Sequence, residues 1–416
     1  MPKTKGQATS FLTTSDGAAL FYRDWGAGSP MVFLAPWGLH SDWWEYHWLS
    51  YPQIDTAHYG DTLEAPPANA PAEFASTHQT RLRIMSASAV SFESRTNPVI
   101  RWLLEGDPSI RWQVLRDLLG DGESAVDRER RKITHDGWGA RLLAKQNAAG
   151  TWARGRSSDG LYSPKWISTT YTMLLLRDFG LSPNAFAARR ACKLLLDGGL
   201  QPDGGVSYGT WAKWTRRGET CITGMVLSIL SYFHYADSRL DTLANHLLEQ
   251  QMPDGGWNCR RYQGATHSSV HTTISALEGL RFYELHCRQK VRELCAAQDR
   301  GREFLLRHRL FRSHRSGKII NSEFTRFSFP PRWHYDILRA LDYFQAVNAP
   351  RDPRLAEAIE IVHNSQLEDG RWPLQHTYRG KTYFELEHLG APSRWNTLRA
   401  LRVLRWWHRR PTASGA

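Results

Sequence analysis

The sequence predicts an all-α repeat protein that carries a short β-hairpin-containing extension at its N-terminal end. Three observations predict it. A turn of the form Gln-x-x-x-Gly recurs, as Gln146-Asn-Ala-Ala-Gly-Thr-Trp152, Gln201-Pro-Asp-Gly-Gly205, Gln251-Met-Pro-Asp-Gly-Gly-Trp257 and Gln366-Leu-Glu-Asp-Gly-Arg-Trp372. Between turns the apolar residues follow a helical period, and a spacing of about 50 residues suits two helices and a turn. Eighteen tryptophans, several at matching places in the repeats, point to a shared aromatic packing scheme.

In chain order, residues 11–25, FLTTSDGAALFYRDW, read as a β-hairpin with Asp16-Gly17 at its turn, because Asp-Gly supplies the positive φ of tight hairpin turns. Met31 to Ala35 reads as a short apolar strand. This hairpin and strand resemble the opening of the α/β-hydrolase family, particularly its haloperoxidase-like esterases, over about the first 50 residues. The His-Gly expected after the third strand is replaced by Ala35-Pro36, and no Gly-x-Ser-x-Gly nucleophile elbow occurs in the chain. Residues 1–58 are therefore expected to be a remnant or appended cap without chemistry of its own. Residues 59–95 read as a linker, Ala- and Pro-rich between 60 and 80. The repeats are expected over 96–410, with a tail at 411–416.

Within the repeats, a helix with one polar face precedes each turn, at 183–196, 239–250 and 353–364. A more apolar helix follows, at 166–179, 221–233, 271–283, 333–344 and 395–407, with 110–119 as a further partner and a degenerate turn at 307–317. These apolar helices read as an inner set. Their beginnings are alike: Pro108-Ser-Ile-Arg-Trp112, Ser163-Pro-Lys-Trp166, Pro331-Arg-Trp333 and Pro392-Ser-Arg-Trp395. Proline suits a first helical turn, where its missing N–H has no intrahelical partner. Two copies carry Glu219-Thr-Cys221 and Val270-His271 in place of the tryptophan, and departures from a structural repeat are where function is most often written.

Tandem turns of this kind closing onto apolar helices resemble the repeats of squalene and oxidosqualene cyclases and of protein prenyltransferase β subunits, over roughly residues 96–410. The resemblance implies an α/α toroid, an inner ring of helices inside an outer one. Its central cavity would be lined by the N-terminal ends of the inner helices. Trp166, Trp257, Trp333, Tyr335 and Trp395 would then contact an apolar, isoprenoid-type substrate, and aromatic faces would stabilise carbocation character. The Asp-x-Asp-Asp of protonating cyclases is absent, as is Asp-Asp-x-x-Asp. Asp336 is the similarly placed acid, with His334 as its partner; the same aspartate also suits a helix N-terminus, stabilised by the dipole.

Prenyltransferase β subunits hold zinc through an Asp-x-Cys at one inner helix start and a His at the next. Glu219-Thr-Cys221 and His271 match that arrangement with Glu for Asp, and Cys259 is a further ligand candidate. Thiolate, imidazole and carboxylate form a reasonable zinc set, so zinc is the expected cofactor. Aligning Cys221 with His271 superposes Leu227 on Leu277 and Leu230 on Leu280, which would put both sites at one cavity level. A buried thiol and a hydrogen-bonded core histidine fit the same residues. A metal-free cyclase-like protein using Asp336, and a non-catalytic lipid- or peptide-binding toroid, stay open.

A net charge of +12 and a pI near 9.6 favour contact with anionic material. The basic runs at 300–315 and 399–410 could meet a membrane surface, beside Trp406 and Trp407, or form a solvated helix face. No nucleic-acid motif accompanies them, so the expected partner is an apolar small molecule or lipid. Five cysteines at irregular spacing do not form a disulfide framework and indicate a reducing compartment. Neither a signal core near the start nor a spanning apolar run is read, so the expected location is cytoplasmic or peripheral to a membrane.

Overall fold

The computed structural model describes residues 10–13, 19–22, 94–153, 159–209, 212–286 and 291–409. The chain divides into two units, Met1–Arg83 and Ile84–Ala416. In the first, β1 (Ser10–Thr13) and β2 (Ala19–Tyr22) pair antiparallel with Thr13 opposite Ala19, the hairpin expected around Asp-Gly. The strand expected at 31–35, nearly all of the 59–95 linker and the 411–416 tail lie outside the described residues.

The second unit is α-helical, with only isolated bridges among its described residues. Its helices are α1 (Pro98–Leu104), α2 (Pro108–Val114, running on as a π-turn over Leu115–Leu119), α3 (Glu123–Arg131), α4 (Gly137–Leu143) and α5 (Thr169–Phe179). There follow α6 (Phe186–Gly199), α7 (Ala212–Thr215), α8 (Thr220–Tyr232), α9 (Arg239–Gln250) and α10 (Val270–His286). The last are α11 (Val291–Arg307), α12 (Ile337–Ala346), α13 (Ala356–Asn364) and α14 (Arg394–His408).

The recurring turn has a specific job. Trp152, Trp257 and Trp372 are fully buried, and each indole N–H donates to a carbonyl ten residues earlier: Leu142 (2.8 Å), Leu247 (2.7 Å) and Val362 (2.6 Å). The indole thus closes the C-terminal end of the preceding helix, whose last carbonyls lack intrahelical partners. The backbone N–H of the same tryptophan donates to a threonine hydroxyl in the next inner helix, Thr169, Thr273 or Thr397. Gln146, Gln251 and Gln366 bond across the turn to Gly150, Gly255 and Gly370, whose positive φ the reversal requires. The copy at 201 differs. Its left-handed glycine is Gly204 and its turn bonds put Gln201 where Met252 stands, so the Gln201 amide bonds Gly199 and Ser207 instead.

Six helices, α2, α5, α8, α10, α12 and α14, meet in closed order. Trp112 of α2 donates to the Phe179 carbonyl of α5 (2.8 Å), and Arg177 of α5 to Ser228 of α8 (2.6 Å). Between α8 and α10 the backbones touch: a Cβ on Gly224 would lie 2.4 Å from the Ser275 carbonyl oxygen, and one on Gly279 2.6 Å from that of Gly224. Arg339 of α12 pairs with Glu278 of α10 (2.8 Å). Arg402 of α14 reaches Asp342 of α12 (3.2 Å) on one side and Asp117, in the turn after α2, on the other (3.1 Å).

Three expectations are corrected here. Trp166 and Trp333 do not open their helices, because Ser168 and Asp336 cap them, so α5 starts at Thr169 and α12 at Ile337. Leu227, Leu230, Leu277 and Leu280 are fully buried in the core and line neither cavity described below; Leu277 packs toward Gly301 of α11. The basic run at 399–410 is not a solvated or membrane-facing surface throughout: Arg399 and Arg402 turn inward, with side chains 5% and 12% exposed, to meet the carboxylates of Asp336, Asp342 and Asp117.

Candidate functional site

The inner helices surround one cavity, and a second adjoins it. The larger, about 620 Å³, is lined by residues of all six inner helices and by the 329–332 loop. The smaller, about 430 Å³, lies against the 377–387 loop. Leu175, Phe329, Pro330 and Arg332 belong to the walls of both, so the two spaces meet there.

The larger cavity combines aromatic side chains with a high density of charge. Eight arginines and four carboxylates line it, beside seven aromatic side chains: Trp112, Tyr171, Tyr232, Phe282, Phe329, Tyr343 and Trp395. Its walls come from the C-terminal halves of α5, α8 and α10, so the N-terminal ends do not dominate it. Arg339 makes two 2.8 Å bonds to Glu278, whose carboxyl burial alone would raise; the guanidiniums of Arg339 and Arg177 outweigh that and hold it below the usual carboxylate range.

The smaller cavity is lined by aromatic, aliphatic and charged side chains together, the charged ones being Arg332, Arg379, Glu385 and Glu387. Trp166, Tyr378, Tyr383 and Phe384 line it together with Leu142, Leu175 and Leu386. Beside it the His334 ring lies between Tyr378 (3.6 Å, 5°) and Trp333 (3.7 Å, 24°), while Trp166 meets Tyr171 edge-on at 4.8 Å. Burial and neighbouring His271 press the His334 imidazole down to about 2, so it is neutral at physiological pH. The protein's own cations already face these rings: Lys165 lies 5.6 Å and Arg332 5.6 Å from the Trp166 centroid.

The remaining aromatic candidates are elsewhere. Trp257 is a closing indole of the repeat, in neither cavity wall, and Tyr335 is a core residue whose hydroxyl bonds the Leu310 carbonyl (2.7 Å). Trp395 lines the larger cavity, stacked on Phe329 at 4.1 Å. Asp336 caps α12. One of its oxygens accepts the Arg339 N–H (2.7 Å), and the other accepts the Ser328 hydroxyl (2.8 Å) and N–H (3.2 Å). His334 is its chain neighbour but not its hydrogen-bond partner: its ring is held by stacking.

Of the four zinc candidates, Cys221 and Cys259 adjoin, while Glu219 and His271 are held by other partners. The Cys221 N–H donates to Cys259 Sγ (3.2 Å), Glu219 accepts from Ser207 (3.0 Å), and His271 Nδ1 accepts the Tyr335 N–H (2.9 Å). Among the described residues no three of His, Cys, Asp or Glu gather where they could hold a metal. The Cys259 contact and burial push the Cys221 thiol well up. The pattern Glu-x-Cys and His is present in sequence, with Glu219 and Cys221 at the start of α8 and His271 at the start of α10.

The residues that sequence reasoning missed are the inward arginines, chiefly Arg177, Arg281 and Arg332. A signal for the inward face existed in α14, where Arg399 and Arg402 sit three apart among Leu398, Ala400 and Leu401, within an otherwise apolar inner helix.

No family model matches the chain. Among curated proteins the chain is similar to a non-heme haloperoxidase of Rhodococcus erythropolis, 51% identical over 35 residues, which are 8% of this chain and 13% of that protein. It is also similar to non-heme chloroperoxidase CPO-A1 of Kitasatospora aureofaciens, 52% identical over 33 residues, 8% and 12% of the two chains. The chain therefore spans about an eighth of the length of these curated relatives. Among solved structures it is similar to the apo type II terpene cyclase MstE from Scytonema, with TM-score 0.37 and 13% identity over 80% of this chain and 97% of that one. A variant of MstE in complex with geranylgeranyl dihydroxybenzoate gives TM-score 0.38 and 14% identity over 80% and 96%.

Proposed function

We propose that the chain is a terpenoid-cyclase- or prenyltransferase-like protein that takes an apolar, isoprenoid-type small molecule into the smaller cavity. One observation carries the reading: the wall of Trp166, Tyr378, Tyr383, Phe384, Leu175 and Leu386. A cavity of about 430 Å³ has the size of small-molecule sites, and Arg332, Arg379, Glu385 and Glu387 add charged groups at the edge of its aromatic and aliphatic wall. The repeat pattern, which resembles that of isoprenoid-handling proteins, agrees with it. Zinc is assigned no step, because the residues expected to hold it serve separate bonds.

For turnover, a cyclase of the protonating type needs a protonated acid facing its substrate. Asp336 accepts hydrogen bonds on both oxygens within the cap of α12 and lines neither cavity. That observation favours a second reading, a toroid that binds its ligand without turning it over. The two readings separate when purified protein is incubated with farnesol, geranylgeraniol and their diphosphates and the extracts are analysed by gas chromatography with mass spectrometry. New cyclic or transferred products that survive Asp336→Asn establish an enzyme with a different acid. Saturable binding without products establishes the binding protein. Absence of both removes the proposal.

A further inference from the structure

The larger cavity holds more positive charge than its own carboxylates can pair. Of its eight arginines, Arg177, Arg339, Arg399, Arg402 and Arg116 have ion-pair partners among Asp178, Glu278, Asp342, Asp336 and Asp117. Arg332, Arg281 and Arg130 make no ion pair with a described residue. Arg281 donates to the Ala346 carbonyl (2.9 Å), and Arg130 to the Gly180 carbonyl (2.8 Å) and the Tyr232 hydroxyl (2.9 Å). Arg332 faces the ring of Trp166 and feels Asp178 only at a distance, and its backbone is held in the left-handed region, at φ 58°, uncommon for a side chain of that size. Cations enclosed without counter-charge are costly, so a surplus of this kind in one cavity points to a negative ligand.

A second observation agrees with it. The hydroxyl of Ser231, the indole N–H of Trp395 and Nε of Arg402 are buried in this cavity's wall and bond no described residue. All three are able to donate a hydrogen bond. Burial also lowers the Arg281 guanidinium and brings that of Arg332 down to about 10, more than Asp342 and Glu278 near the first, or Asp178 near the second, offset.

We propose that the larger cavity is a binding site for a multiply charged oxyanion, a phosphate or diphosphate group, anchored by Arg332, with Arg281 and Arg130 as the other unpaired cations. Arginine suits the task because its fixed fork of N–H donors matches phosphate oxygens two at a time. The site goes beyond the apolar ligand proposed above and stands on the larger cavity alone. Because Arg332 also borders the smaller cavity, the anion could be free or could be the head of a chain lodged there.

The test is calorimetric titration of the full chain with inorganic diphosphate, farnesyl diphosphate and farnesol. Wild type is expected to bind inorganic diphosphate, and Arg332→Gln and Arg281→Gln to weaken it by about tenfold or more each. Diphosphate should raise the Tm of wild type, and much less that of Arg332→Gln. Unliganded Arg332→Gln should melt no lower than wild type, since it loses an unpaired cation; Arg281→Gln serves if that variant does not fold. Farnesyl diphosphate binding well above inorganic diphosphate identifies an isoprenoid head, and equal affinities identify a free anion; both support the site. No diphosphate binding by wild type, or undiminished binding by both variants, overturns it. Farnesol binding reads the smaller cavity separately, so that loss of either proposal leaves the other testable.

Discussion

Glu278→Gln offers the sharpest test of how the ring is held together. The carboxylate lies between α10 and α12, making two 2.8 Å bonds to Arg339 and standing 4.0 Å from Arg177. The Arg339 side chain is 6% exposed and that of Glu278 18%, so solvent screens the pair weakly. Removing one member of a buried pair costs about 3–5 kcal/mol, because the other charge is left without compensation. Arg339 keeps its bond to the His334 carbonyl (2.6 Å), which places the expected loss near the lower end, about 3 kcal/mol. The sign with pH follows from the depressed carboxyl. Its contribution is present above the unfolded value of about 4.3 and is lost as pH falls through the lower folded value, so wild type and variant should converge in acid. Urea unfolding followed by tryptophan fluorescence at pH 7 and pH 3.5 measures both. Removing both charges, in Glu278→Leu with Arg339→Met, should cost less than Glu278→Gln alone. A loss under about 1 kcal/mol at pH 7, with no convergence in acid, would refute the reasoning.

Further outcomes follow from single contacts. Gly224→Ala forces a Cβ to within 2.4 Å of the Ser275 carbonyl and should cost about 1–3 kcal/mol of thermal stability by separating α8 from α10. Thr273→Val leaves the buried Trp257 N–H without its acceptor and should cost about 1–3 kcal/mol in urea, with Thr273→Ser restoring most of it. Burial, with Arg339 adding to it, lowers the His271 imidazole to about 4. The unfolded chain therefore takes up its proton first, and stability should fall by about 3 kcal/mol as pH drops from about 6.5 to 4, less so in His271→Asn. Metal analysis should find well under one zinc per chain, and a chelator should leave the Tm unchanged; stoichiometric zinc lost on Cys221→Ala would reverse the assignment of Cys221, Cys259 and His271.

The fold was legible where one local interaction repeats. Gln, Gly and Trp at a fixed spacing could be read because each has one job: a turn-spanning amide, a left-handed φ and an indole that closes a helix end. The register was legible to within a residue, but the 201 copy slipped, because Gln201 imitates the motif while Gly204 sets the turn. The threonines that receive the turn, Thr169, Thr273 and Thr397, were visible in the sequence and carried a register marker that tryptophan spacing did not.

The site was less legible because the ring closes through contacts between residues distant in sequence. Arg402 meets Asp117 across the junction of the first and last inner helices, a pairing no local pattern announces. Glu219, Cys221 and His271 matched a motif by spacing, yet each is bonded to its own neighbours. Trp257 and Tyr335 looked like cavity aromatics because buried aromatics and ligand-facing aromatics share one sequence signature. Only Trp166 and Trp395 of the five line a cavity.

The central claim, that the protein receives an isoprenoid chain in the smaller cavity, meets its most direct test in a fluorescence titration of wild type and Leu175→Trp with farnesol. Leu175 stands in the wall common to both cavities, so the larger ring should fill the space where they meet. Saturable quenching at one site per chain in wild type, lost or strongly weakened in the folded variant, is the result expected. Absence of saturable binding, or equal binding by both proteins, would contradict it.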